Sequence, residues 1–163
     1  MVDLLYPFWY ILPSYFANSS PVLVSKIEFL AKYNFPLDLK LKFFDGQRIL
    51  GDGKTFFGFL LGVLVGTIVG VIQGNFMLGF LLSIGTMVGD SAGSFLKRRL
   101  KIERGKNSPL IDDLIFLISA LAFAWQVAPI EFLQVVELLI LTPVLHRLAN
   151  ILAHSLKLKE VPW

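Results

Sequence analysis

Cysteine is absent from the 163-residue chain, so neither a disulfide framework nor a thiolate metal site is available. Any bound metal must be held by oxygen ligands. Charge is also scarce. Asp, Glu, Lys and Arg make up 17% of the residues, while 55% are hydrophobic and the mean hydropathy is +0.69. A small soluble domain is normally nearer ~45–50% apolar, so this composition excludes that class and marks an integral membrane protein. No Lys or Arg precedes the first apolar stretch, so the positive n-region of a cleavable signal peptide is missing and the first segment is expected to be retained. No charge occurs in residues 4–25 or 55–89.

These charge-free runs set the predicted architecture. Pro7 and Pro13 kink or shorten a first membrane helix over residues 4–17. Residues 55–89, 35 in all, are too many for one crossing, and Gln73, Gly74 and Asn75 supply a turn that divides them into helices over 55–73 and 76–96. Two further helices are expected over 111–127 and 130–153, with long loops at 18–54 and 97–110. All 15 Lys and Arg fall in those two loops and at the C-terminal end, and none in the short turns. The positive-inside rule then predicts an all-α protein with five transmembrane helices, the N-terminus outside, and both long loops and the C-terminus cytosolic. Gly58, Gly62, Gly66, Gly70 and Gly74 recur every fourth residue, and Gly85, Gly89 and Gly93 repeat that spacing. Small residues so placed let helices approach closely in lipid; a backbone lining a substrate groove is the other reading.

The first long loop can carry structure of its own. Ser19, Ser20 and Pro21 make a helix start, residues 22–31 read as a short amphipathic interfacial helix, and residues 39–50 read as a small hairpin turning at Asp45-Gly46.

Chemistry concentrates in residues 89–116, where Asp90, six cations and the pair Asp112-Asp113 crowd between apolar flanks. Carboxylates beside cations point to a metal-assisted phosphate site at one edge of the membrane; the plainer reading is a basic loop with Asp90 as a structural partner. Clustering at one edge favours an enzyme acting on lipid over a transporter or channel subunit, whose charges would sit near the membrane midplane. The pI of about 9.2 comes without a patterned basic domain, so anionic headgroups or phosphate substrates fit better than nucleic acid. Gly53-Lys54-Thr55 look like the tail of a phosphate-binding loop, but the glycine that motif needs five residues earlier is Arg48. What remains is a glycine-rich turn at a helix start, where Lys54 and backbone N–H groups could hold a phosphate or the lysine could simply snorkel. His146 and His154 lack a third ligand nearby, and Glu137 stands alone in the last helix, so none of the three is placed in the site.

Together these motifs carry a resemblance. GDGKTFFGFLLG resembles the Lys-Thr-x-x-Gly motif of CDP-diacylglycerol synthases, and GDSAGSFLKRR, with the basic stretch, proline and Asp112 after it, resembles their C-terminal signature. The small size, Asn18-Ser19-Ser20-Pro21, DGQRILGDGKT and SPLIDDLIF look more closely like archaeal CDP-archaeol synthases, over almost the whole chain. Phosphatidyltransferases that consume a CDP-lipid carry an Asp-Gly-x-x-Ala-Arg pattern, which Asp45-Gly46-Gln47-Arg48 does not supply.

The resemblance implies magnesium-dependent transfer of a cytidylyl group from CTP to a geranylgeranylated glycerol ether phosphate. On that basis Asp90 and Asp112 are expected as metal ligands at the cytosolic face of the cell membrane. Lys97, Arg98, Lys101 and Arg104 would hold phosphates, with Lys54 approaching from the other loop beside Thr55. Asn18, Ser19 and Asp52 are further candidates for the nucleotide or for ordering the loop. An acyl-lipid substrate is the alternative. One departure stands out: where the family pattern has a second aspartate, this chain has Ile115, so either Asp113 substitutes as a ligand or one ligand of a second metal is missing.

Overall fold

The computed structural model describes residues 5–24, 27–103, 106, 108–158 and 161. Its elements are α1 (Tyr6–Ser19), α2 (Pro21–Val24), α3 (Glu28–Lys32), α4 (Phe56–Ile72), α5 (Phe76–Arg99), α6 (Pro109–Ala124) and α7 (Phe132–Ser155). No strand forms among the described residues; two isolated bridges, Pro36 with Thr55 and Lys42 with Arg48, are the only β pairings.

Local chemistry sets several of these boundaries. Thr55 caps α4 by accepting the Gly58 N–H at 3.3 Å, and Asn75 caps α5 by accepting from Leu78 at 3.0 Å. Pro109 in the first turn lets α6 begin before the expected residue 111, because that turn leaves its N–H groups unpaired in any case. The helix ends at Ala124 rather than 127. A reciprocal cap between Glu131 and Gln134 starts α7 at Phe132, later than the expected residue 130. The interfacial helix expected over residues 22–31 is instead the two short helices α2 and α3. At Asp45-Gly46 the chain does reverse, with Gly46 at φ +77° and Phe43 N–H donating to Gln47 O at 2.8 Å, but too few pairs follow to make strands.

The bundle packs α5 against α6 and α4, with α1 crossing α4 and α5. In α4 the buried residues are Gly58, Gly62, Gly66 and Gly70, whereas Leu60, Leu64, Ile68 and Ile72 are exposed. Along α7, Ile140, Val144, Leu148 and Leu152 form a similar exposed stripe. Small residues inside and large apolar ones outside is the arrangement expected in lipid, where water does not drive side chains inward. Two helices, α5 and α7, are long and apolar enough to cross a membrane, and α4 is a shorter apolar helix. On α7 the buried residues are Leu138 and Thr142, and none is buried beyond Thr142. The second half of this helix buries less, and its Leu145, His146, Ala149 and Ala153 line a cavity.

Candidate active site

The starts of α4 and α6 and the ends of α1, α5 and α7 meet around one cavity of about 870 Å³. Asp90 and Lys54 line it, as do Asp112 and Lys97. Lys54 Nζ donates to Asp90 Oδ2 at 2.5 Å, and Lys97 Nζ donates to both oxygens of Asp112 at 2.9 and 3.0 Å. Each carboxylate thus faces a lysine from another part of the chain, and all four side chains are half-buried. Asp112 also accepts the Ser108 N–H at 3.2 Å, which ties its carboxylate to the start of α6.

Lys54 is held by the first loop. Residues 34–37 run antiparallel to 54–57: Leu37 N–H donates to Lys54 O at 2.8 Å, Phe56 N–H to Phe35 O at 3.0 Å, and the Phe35 and Phe56 rings stack at 5.2 Å. The hub of this loop is Asp38, which sequence reasoning did not single out. Its buried carboxylate accepts from Arg48 Nη2 at 2.7 Å and Nε at 3.1 Å, and from the backbone N–H groups of Gly51 at 2.9 Å, Leu50 at 3.0 Å and Lys40 at 3.1 Å. Burial alone would raise its pKa, but the Arg48 guanidinium and those N–H groups outweigh it and hold the carboxyl well below its ordinary range. They also hold Leu39 and Lys40 in the left-handed region at φ +47° and +64°. At the far end of the loop, Arg99 lies over the rings of Phe43 and Phe95, contacts Asp45 at 2.7 Å and donates to Arg48 O at 2.7 Å. The loop carrying Lys54 is therefore clamped to the end of α5.

Replacing Asp38 with Ala removes five acceptor contacts at once and leaves Arg48 with Asp52 alone as its carboxylate partner; a loss of about 2 kcal/mol is expected. Limited proteolysis within residues 38–52 and thermal unfolding measure it, and unchanged protection would remove Asp38 from this role. The sign of the pH dependence follows. Because the folded pKa is depressed, this stabilisation is complete above an unfolded value near ~4 and is lost as pH falls toward the folded one.

The other expected site residues divide. Thr55 lines the cavity but spends its hydroxyl on the α4 cap. Ser19 lines it too, donating back to Tyr15 O at 2.9 Å. Asp52 is not on the wall; it pairs with Arg48 at 3.0 Å on the exposed side of the loop. Lys101 is exposed and closes α5 at φ +56°, donating its N–H to Arg98 O, so its side chain does not line the cavity. Arg98 is half-buried outside the wall, and its Nε has no partner among the described residues. Arg104 lies outside the described residues. Asp113 is buried and engaged by His146 Nδ1 at 2.5 Å, and Asn18 approaches His146 Nε2 at 3.4 Å. Ile115 packs its backbone oxygen and side chain toward Gly89 and Gly93.

Among the described residues no three carboxylates or imidazoles converge as a ready-made metal cage. Two carboxylates lining one cavity nevertheless suit magnesium, which is commonly bound by one or two carboxylates, with waters and substrate phosphates completing the shell.

Comparison with known proteins agrees over the full length. The family described as CarS-like, CDP-archaeol synthase, matches residues 1–163. CDP-archaeol synthase of Pyrococcus abyssi is 48% identical over 96% of each chain, and that of Methanocaldococcus jannaschii is 41% identical over 95% of this chain and 94% of its own. A solved structure described as "Structural insight into an intramembrane enzyme for archaeal membrane lipids biosynthesis" superposes with a TM-score of 0.75 at 35% identity, covering 91% of this chain and 95% of that one.

Proposed function

Because the chain belongs to the CDP-archaeol synthase family, we propose that the cavity between Lys54, Asp90, Lys97 and Asp112 is where its CTP-dependent synthesis of CDP-archaeol takes place. The acceptor is an unsaturated ether-lipid phosphate, 2,3-bis-O-geranylgeranyl-sn-glycerol 1-phosphate. One oxygen of its phosphate attacks the α-phosphorus of CTP, a new P–O bond forms, and the bond to the bridging oxygen breaks to release pyrophosphate. The pairing of two carboxylates with two lysines from separate elements around one cavity is the observation that carries this reading.

Lys54 and Lys97 exchange their carboxylate partners for the phosphates of CTP and offset charge building on the leaving pyrophosphate. Asp90 and Asp112 are thereby freed to hold magnesium, which when bound adds positive charge at the triphosphate. The Asp38 hub and the Arg99 clamp fix the position of Lys54. The five long helices α1, α4, α5, α6 and α7 cross the cell membrane with the N-terminus outside, so that this end of the bundle opens to the cytosol where CTP is found; the cation distribution supports that orientation.

Purified protein in detergent, given labelled CTP, magnesium and the ether-lipid phosphate, is expected to move label into the lipid phase. Chelation with EDTA should reduce transfer at least ~100-fold, and added magnesium should restore it. Label on phosphatidic acid alone would keep the chemistry and change the acceptor. No label with either lipid, in folded protein, would overturn the assignment.

A further inference from the structure

The site described above leaves one cluster of the cavity unused: His146, Asp113 and Asn18, which come from α7, α6 and α1. An ionisable group in the middle of an apolar helix is costly unless it works. His146 stands nine residues before the end of α7, about 13 Å along the helix at 1.5 Å per residue, and its side chain is 20% exposed. The Asp113 carboxylate takes Nδ1, and Phe116 packs edge-on to the ring at 5.7 Å. The ring orientation is thereby fixed, and Nε2 is the atom left to address a ligand. There the Asn18 amide approaches at a long 3.4 Å, a group that can turn either its oxygen or its NH₂ and can yield to a stronger acceptor.

We infer that His146 is the residue that receives the phosphate of the lipid acceptor, with Asp113 and Asn18 as its positioning partners. This rests on the proposed cytidylyl transfer in the same cavity. The two substrates differ in how they can reach it. CTP is water-soluble and anionic, and the lysine-bearing wall formed by the loop and α5 meets it first. The lipid brings its phosphate on an apolar body, and beside His146 the cavity carries apolar residues, Leu145, Ala149 and Ala153 of α7 together with Phe16, Pro21 and Leu23. A lipid phosphate whose body lies along them is brought to Nε2. With Nδ1 engaged by the Asp113 carboxylate, Nε2 is the ring atom placed to meet a phosphate oxygen.

The test is steady-state transfer by the full chain in detergent, with each substrate varied at saturating levels of the other. His146→Ala is expected to raise KM for the ether-lipid phosphate at least ~10-fold while KM for CTP stays within ~2-fold. His146→Gln, whose amide can place an N–H near Nε2, should recover most of that loss, and Asp113→Asn should shift lipid KM in the same direction by less. A rise in KM for CTP alone would make His146 a nucleotide contact and overturn the inference. Unchanged constants for both substrates would reduce the Asp113–His146 pair to a structural link. If the alanine variant does not fold, the same split measured on His146→Phe, which keeps a ring against Phe116 but carries no N–H, decides, and a lipid KM equal to wild type there overturns the inference. Wild-type protein that labels neither lipid would instead be the failure of the transfer reading itself.

Discussion

Asp90→Asn and Asp112→Asn are each expected to lower turnover by ~10³-fold or more, equivalent to about 4 kcal/mol of barrier, in protein that still folds. Asparagine keeps the size of each side chain and one oxygen to accept from Lys54 or Lys97, so the packing around α5 and the cap at the start of α6 survive. The negative charge is what is lost. A neutral amide is a poor ligand for a hard dication, so the phosphates of CTP lose the neutralisation that the reaction depends on. Stability should change little, because both ion pairs border an open cavity and half-exposed pairs of this kind are worth about 0–1 kcal/mol. The check is initial transfer rate set beside elution profile and unfolding temperature in detergent. Activity within ~10-fold of wild type in either variant would remove that carboxylate from the site.

Gly89→Leu is expected to yield no monodisperse folded protein, and Gly89→Ala to cost about 2–3 kcal/mol, whereas Gly93→Ala is expected to be nearly neutral. Gly89 and Gly93 share a stripe, yet their surroundings differ. A Cβ on Gly89 would lie 2.6 Å from Ser119 Cβ, 2.7 Å from Ile115 O and 2.7 Å from Phe116 Cα, and backbone atoms of α6 cannot move aside without separating the helices. At Gly93 the nearest atoms are 3.4 to 3.8 Å away, ordinary contact distances. Because α5 and α6 carry Asp90, Lys97 and Asp112, prying them apart also dismantles the site. Unfolding temperatures of the two alanine variants test this directly, and equal destabilisation at both positions would refute the packing account.

Much of this was legible in the residues themselves. Charge-free runs mark the apolar helices, Gln73-Gly74-Asn75 marks the turn between α4 and α5, and a glycine every fourth residue marks the face that α4 buries, because these are local or periodic properties of the chain. The motifs around Lys54 and Asp90 carried the family. Less legible was which charge meets which. Lys54 and Asp90 are 36 residues apart, and His146 and Asp113 are 33 apart. Asp38 looked like any loop aspartate, although Arg48 lay only ten residues on. Asp113 was expected as a substitute metal ligand, and its pairing with a histidine 33 residues on was not legible.

By itself, then, the sequence determined the helical segments, the lipid-facing composition, the close-packing stripe and the residue types available for phosphate chemistry, since each is encoded in composition or spacing within one segment. Only the tertiary structure decided that Lys101 and Asp52 turn away from the cavity, that Arg48 and Asp38 organise the loop behind Lys54, and that the C-terminal half of α7 brings His146 to that cavity. Those outcomes depend on how helices rotate about their axes and where loops run between them. Both are fixed by contacts between residues far apart in the chain, which no local pattern records.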